Sequence, residues 1–145
     1  MAVTTDEQHP QGGALNAAIS NAVVKRTAEY TGRGPTKAHT IVRDDVVLVI
    51  LKDTLTKGEQ SLVANDRAEK VIELRGEFHA AMQAVLRSDV EQLTGRNVIA
   101  FMSTNHIDPD IGAELFILEP AADREVNTPP VAHDAPPTNG GSHRG

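Results

Sequence analysis

The chain has no cysteine and no tryptophan, and aromatic residues make up only 3% of it. Without thiols there is no disulfide, no thiolate metal site and no cysteine nucleophile. With so few rings the core must be aliphatic, and base-stacking recognition of nucleic acid lacks its platform. The net charge of −6 also works against a polyanionic partner. No run of about 18 apolar residues is present, so no membrane-spanning helix is expected. The opening residues Met1 to Glu7 are polar and acidic, and they lack the basic and apolar regions of a secretory signal. These absences point to a cytoplasmic protein with no membrane insertion and no nucleic-acid partner.

What is present is a repeat. Thr31-Gly32-Arg33 returns as Thr94-Gly95-Arg96, with the glycines 63 positions apart (95 − 32). A helical pattern precedes each copy. Two apolar, β-branched runs follow each copy, split by an acidic turn. The first pair is 36–43 and 46–52 around Asp44-Asp45; the second is 97–105 and 112–118 around Asp108-Pro109-Asp110. This predicts an α+β fold of two α-β-β units, a four-stranded, mostly antiparallel sheet with packed helices. A length of 145 residues suits one domain. Its expected extent is 13–120, after a flexible arm at 1–12 and before a disordered Pro/Gly-rich tail at 121–145.

Local signals place the elements. Leu15, Ala18, Ile19, Ala22 and Val23 have the three-four spacing of a helix over about 14–31. Gly32 ends it and Gly34-Pro35 prevents its resumption. Thr56 to Glu59 reads as a capping box, opening a helical region that runs to about Thr94. A break is expected near Asn65-Asp66, with Leu62, Val71, Leu74, Phe78, Ala81, Met82, Val85 and Leu93 on the apolar face. Val46 to Leu51 is apolar at every position, and the last hairpin is apolar on both faces. A sheet with two apolar faces needs cover on both sides. Either the helices divide between the faces or a second copy covers one, and a homodimer is the expectation.

The loop Arg33-Gly34-Pro35-Thr36-Lys37, with His39 beyond it, is the strongest candidate for binding. Glycines leave amides accessible, and the cations suit a carboxylate, phosphate or bicarbonate, or a protein partner. The same residues also serve as helix stop, turn and strand start. The second copy offers Arg96, His106, Asp108 and Asp110. His106 to Asp110 has the look of a ligand set but matches no standard metal motif, and Asp-Pro is ordinary turn chemistry. His79 reads as a boundary residue of its helix. No catalytic residues, metal or cofactor are predicted.

Ala18 to Ala22, Gly32-Arg33-Gly34-Pro35-Thr36-Lys37-Ala38, Leu93 to Arg96, His106 to Asp110 and Glu114 to Glu119 together resemble the MpsC family of small bacterial proteins. The resemblance covers about 14–119. It implies an accessory protein associated with membrane transport of sodium or inorganic carbon, and it carries no catalytic residues. The expected function is a non-enzymatic accessory or regulatory module acting by protein contact, with a membrane transport protein as partner. The alternative is a small-molecule or anion-binding sensor or enzyme with a pocket near Gly32–Lys37.

Overall fold

A computed structural model describes residues 9–120; the expectations for 1–8 and 121–145 fall outside the described residues. Helix α1 spans Gly12–Thr31 and stops at Gly32, whose φ of 84° is open to a residue without a Cβ. Strands β1 (Lys37–Arg43) and β2 (Val46–Lys52) form the first hairpin. Helix α2 covers Lys57–Ala64, and its capping box is formed by Thr56 and Glu59. The chain breaks at Asn65–Arg67, where Asp66 takes a φ of 58°. Helix α3 then runs over Ala68–Thr94 and ends at Gly95. Strands β3 (Val98–His106) and β4 (Ile111–Leu118) make the second hairpin.

The sheet order is β1-β2-β4-β3, antiparallel throughout. The two hairpins therefore meet through their second strands, a choice the sequence left open. The repeat shows in the packing. The buried residues of α1 are Ile19, Val23 and Thr27. Those 63 positions on in α3 are Met82, Leu86 and Val90, all buried. Arg26 and Asp89 are also 63 apart (89 − 26) and bond each other twice across the helix pair, at 2.8 and 3.1 Å. A position near a two-fold relation meets its own counterpart, so opposite charges there attract where a true repeat would repel.

Helices α1 and α3 pack on one face of the sheet. Ile19, Val23, Met82, Leu86 and Val90 share a core with Val47, Val49, Leu51, Val98, Phe116 and Leu118. Phe101 and Phe116 meet within that face at 5.0 Å between ring centres. Each buried aliphatic side chain contributes about 1.5–3 kcal/mol. Helix α2 packs against α3. The helices thus do not divide between the faces.

The expected apolar face of the long helical region needs correction. Leu62, Leu74 and Ala81 are exposed, whereas Leu86 and Val90 join the core with Val71 and Met82. Position 75, which falls on the buried stripe, is an arginine. Leu62 belongs to the separate helix α2, and within α3 the arginine at 75 hides the buried stripe that leaves Leu74 and Ala81 outside.

Among the described residues, no helix covers the other face of the sheet. Strand alternation and register place four rows on it: Arg43, Val46, Ile117 and Ala100; Ile41, Leu48, Leu115 and Met102; His39, Ile50, Ala113 and Thr104; and Lys37, Lys52, Ile111 and His106. Ile41, Val46 and Met102 are 45%, 40% and 52% exposed. At about 4.8 Å between strands and 3.3 Å per residue, this face measures on the order of 400 Å².

Candidate functional site

The two Thr-Gly-Arg turns are the same device built twice. The Thr31 hydroxyl donates within hydrogen-bond reach of Thr27 O at 2.8 Å and Arg33 O at 2.9 Å. Thr94 repeats this toward Val90 O at 2.7 Å and Arg96 O at 3.4 Å. Each arginine then reaches to the end of a hairpin. Arg33 donates to Asp53 Oδ2 at 2.8 Å and to the Leu55 carbonyl. Arg96 donates to Asp45, to Asp44 O at 2.8 Å and to Glu119 O at 2.8 Å. Gly34 lies against Val24 and Ala28 of α1, and Pro35 is buried. Arg33, Gly34, Pro35 and Arg96 therefore clasp helix ends to strand ends.

Thr36, Lys37 and His39 are placed differently. They line a depression of about 460 Å³ on the open sheet face, together with Ala38, Ile50 and Lys52. His106 hydrogen-bonds the Pro109 carbonyl through Nδ1 at 2.8 Å. Asp110 accepts from the Thr54 hydroxyl at 2.8 Å and the Leu55 N–H at 2.9 Å. Asp108 is exposed. The second-copy side chains face separate partners. His39 on β1 and His106 on β3 lie on opposite edge strands and in neighbouring rows, three strand spacings or about 14 Å apart across the sheet alone, and Arg33 is turned to Asp53. These three do not share one pocket.

A second constellation lies under the helices and was not legible in the sequence. Arg75 and Glu59 are both 3% exposed. Arg75 Nε and Nη2 donate to Glu59 at 2.7 and 2.6 Å, and Nη2 also to Thr54 O at 2.6 Å. Burial alone would raise the Glu59 carboxyl; the bonds from Arg75 and from the Thr56 N–H outweigh it and hold it below its ordinary 4.5. Across the sheet, Thr40, Val49, Glu114 and Ser103 form one inward row. Burial pushes Glu114 up to about 7, against the weaker opposing pulls of the Ser103 hydroxyl and the Arg75 charge. By distance and angle none of the buried atoms Glu114 Oε2, Ser103 Oγ and Asn105 Oδ1 completes a hydrogen bond among the described residues, so the pull of Ser103 on Glu114 is that of a nearby dipole and not of a formed bond. His79 sits nearby. Burial and the charge of Arg75 hold it below 6.5, with the Asn105 side chain pulling the other way.

This layer holds charge inside the fold but shows no nucleophile aligned with a base and an orienting partner. The only sequence signals for it were a glutamate in an apolar strand and an arginine on an apolar helix stripe. Each alone reads as a solvated residue.

Two α-β-β units joined by clasped turns, with one face of the sheet uncovered by any described helix, define an α+β fold; among the described residues no helix is long and apolar enough to cross a bilayer. A family model described as Na+-translocating membrane potential-generating system (MpsC) matches residues 11–120. The chain belongs to this MpsC family. No curated protein and no solved structure matches it.

Proposed function

We propose that this protein is a non-enzymatic accessory module of a membrane system of the kind its family description names, located in the cytoplasm. It acts by protein–protein contact, on a system moving sodium or inorganic carbon, and it forms a homodimer. The observation that carries this reading is the bare sheet face. Contiguous exposed apolar surface of several hundred Å² marks an interaction site. Ile41, Leu48, Leu115 and Met102 form a row of four apolar side chains across all four strands of that face. A second copy covers it in solution, and the membrane partner shares or displaces that contact. The exposed Thr36, Lys37 and His39 lie at its margin.

The test uses Ile41→Glu and Met102→Glu, which put charge into the row without touching the helical core. Sedimentation equilibrium should report a dimer for the wild type and a monomer for the variants, with unchanged circular dichroism. Capture from the native membrane fraction should recover a transport protein with the wild type and lose it with both variants. A wild-type monomer that captures no membrane protein refutes the reading. The second reading, an anion-binding sensor, is favoured by the depression at Thr36, Lys37, His39 and Lys52.

A further inference from the structure

The charges of the sheet are segregated by face. The four strands hold Lys37, Arg43 and Lys52, and all three point to the open face with His39 and His106. The only carboxylate in the strands is Glu114, which is buried on the other face. An acidic chain of net charge −6 therefore presents one face with cations and no acid.

Within that face Lys37 and Lys52 are directly opposite each other in the β1–β2 register. Like charges so placed destabilise the strand pair. Neither lysine has a salt bridge among the described residues. The nearby carboxylates are already engaged, Asp53 by Arg33 and Asp110 by Thr54 and the Leu55 N–H. Lys37 and Lys52 line the depression of about 460 Å³, with His39 on the same face and Thr36 at its rim.

We propose that this corner is a binding site for a phosphate-class dianion. The statement rests on the second reading above for its location and goes beyond it in naming the ligand's chemistry. Two cations held opposite each other are neutralised by one doubly charged ligand, whereas a monoanion leaves one charge unmatched. Inorganic phosphate and phosphate monoesters carry about −1.5 to −2 at pH 7 with three acceptor oxygens. Lys37 and Lys52 supply the charge, and Thr36 and His39 supply hydrogen bonds. A base-stacking ligand is disfavoured, because Phe101 and Phe116 pack against each other on the opposite face. The phosphate can be free in solution or the headgroup of an acidic lipid.

Calorimetric titration and thermal unfolding at low ionic strength in a phosphate-free buffer test this. The probes are sodium phosphate, sodium chloride at matched ionic strength, and vesicles of phosphatidylcholine with or without 20 mol% phosphatidic acid. The proteins are the wild type, Lys37→Ala/Lys52→Ala, and Lys37→Arg/Lys52→Arg. Phosphate should raise the wild-type melting temperature and chloride should not. The alanine pair should weaken phosphate affinity by about tenfold or more and the arginine pair should keep it. In the absence of phosphate the alanine pair should be no less stable than wild type, because the opposed charges are gone. Binding to phosphatidic acid vesicles without a response to free phosphate assigns the site to a lipid headgroup. The proposal is overturned if neither form of phosphate binds, if chloride acts equally, or if the alanine pair responds as wild type does. The partner-contact reading is scored by Ile41 and Met102 variants instead, so the two can fail separately.

Discussion

Replacing Glu114 by glutamine probes the buried polar layer most directly. Folded, the carboxyl is raised from 4.5 to about 7. An acid so raised favours the folded state while protonated. Its contribution is whole below pH 4.5, declines as pH rises, and is gone above about pH 7. At about 1.36 kcal/mol per pH unit, the separation of 2.5 (7 − 4.5) is worth about 3 kcal/mol. Glutamine has nearly the same shape and never ionises. The two proteins should have similar stability near pH 4.5, and the glutamine variant should be about 3 kcal/mol more stable at pH 8. Urea unfolding followed by circular dichroism, repeated from pH 4.5 to 8, measures this difference. His79 and Glu59 are also shifted by the fold. His79 lies below 6.5, so its contribution is present above that pH and is lost on acidification. Glu59 lies below 4.5, so its contribution is present above 4.5 and is lost below it. Both are common to the two proteins and cancel in the difference. A gap between the two proteins that stays constant from pH 4.5 to 8 refutes the reasoning, because Glu114 would then titrate alike folded and unfolded.

Arg75→Met leaves Glu59 buried without its cation and should cost about 3–5 kcal/mol, whereas adding Glu59→Gln should recover part of that loss; denaturant midpoints of the single and double variants decide it. Leu86→Ala should cost about 2–5 kcal/mol and Leu74→Ala under about 1 kcal/mol by the same measurement, since Leu86 is 1% exposed and Leu74 is 41%. Equal losses would restore the expected helix face. Gly95→Ala and Gly32→Ala both force a side chain into the left-handed region, at φ of 69° and 84°, but only at Gly95 does the new methyl meet the His9 ring. Gly95→Ala should therefore lower the melting temperature more than Gly32→Ala, and His9→Ala should narrow the gap.

Much of the fold was legible because local rules and tertiary packing agree. The repeated Thr-Gly-Arg turns mark where each helix stops, and glycine is the residue that takes the required left-handed φ. Alternating and continuous apolar runs gave the four strands within a residue or two of their observed bounds. The capping box at Thr56–Glu59 marked the start of α2. The helix face failed at Leu62 because a three-residue break separates it from α3, and at Leu74 and Ala81 because the buried stripe of α3 runs through Val71, Arg75, Met82, Leu86 and Val90, with a charged residue where an apolar one was expected. The residues of the candidate loop do not share one placement. Arg33 and Lys37 look alike in sequence, yet one clasps Asp53 and Leu55 while the other faces the open sheet beside Lys52.

By itself the sequence determined the two α-β-β units, the turns between them and the apolar character of both sheet faces, since each follows from spacing between near neighbours. Only the tertiary structure decided which strands join, which face the helices cover, and which polar side chains are enclosed. Arg75 lies 16 residues from Glu59, and Lys37 lies 15 from Lys52 (52 − 37). Each pair owes its meeting to strand register and helix docking, which depend on the whole chain closing around one core. The same closure turns Glu114 inward and leaves Lys37 and Lys52 outward.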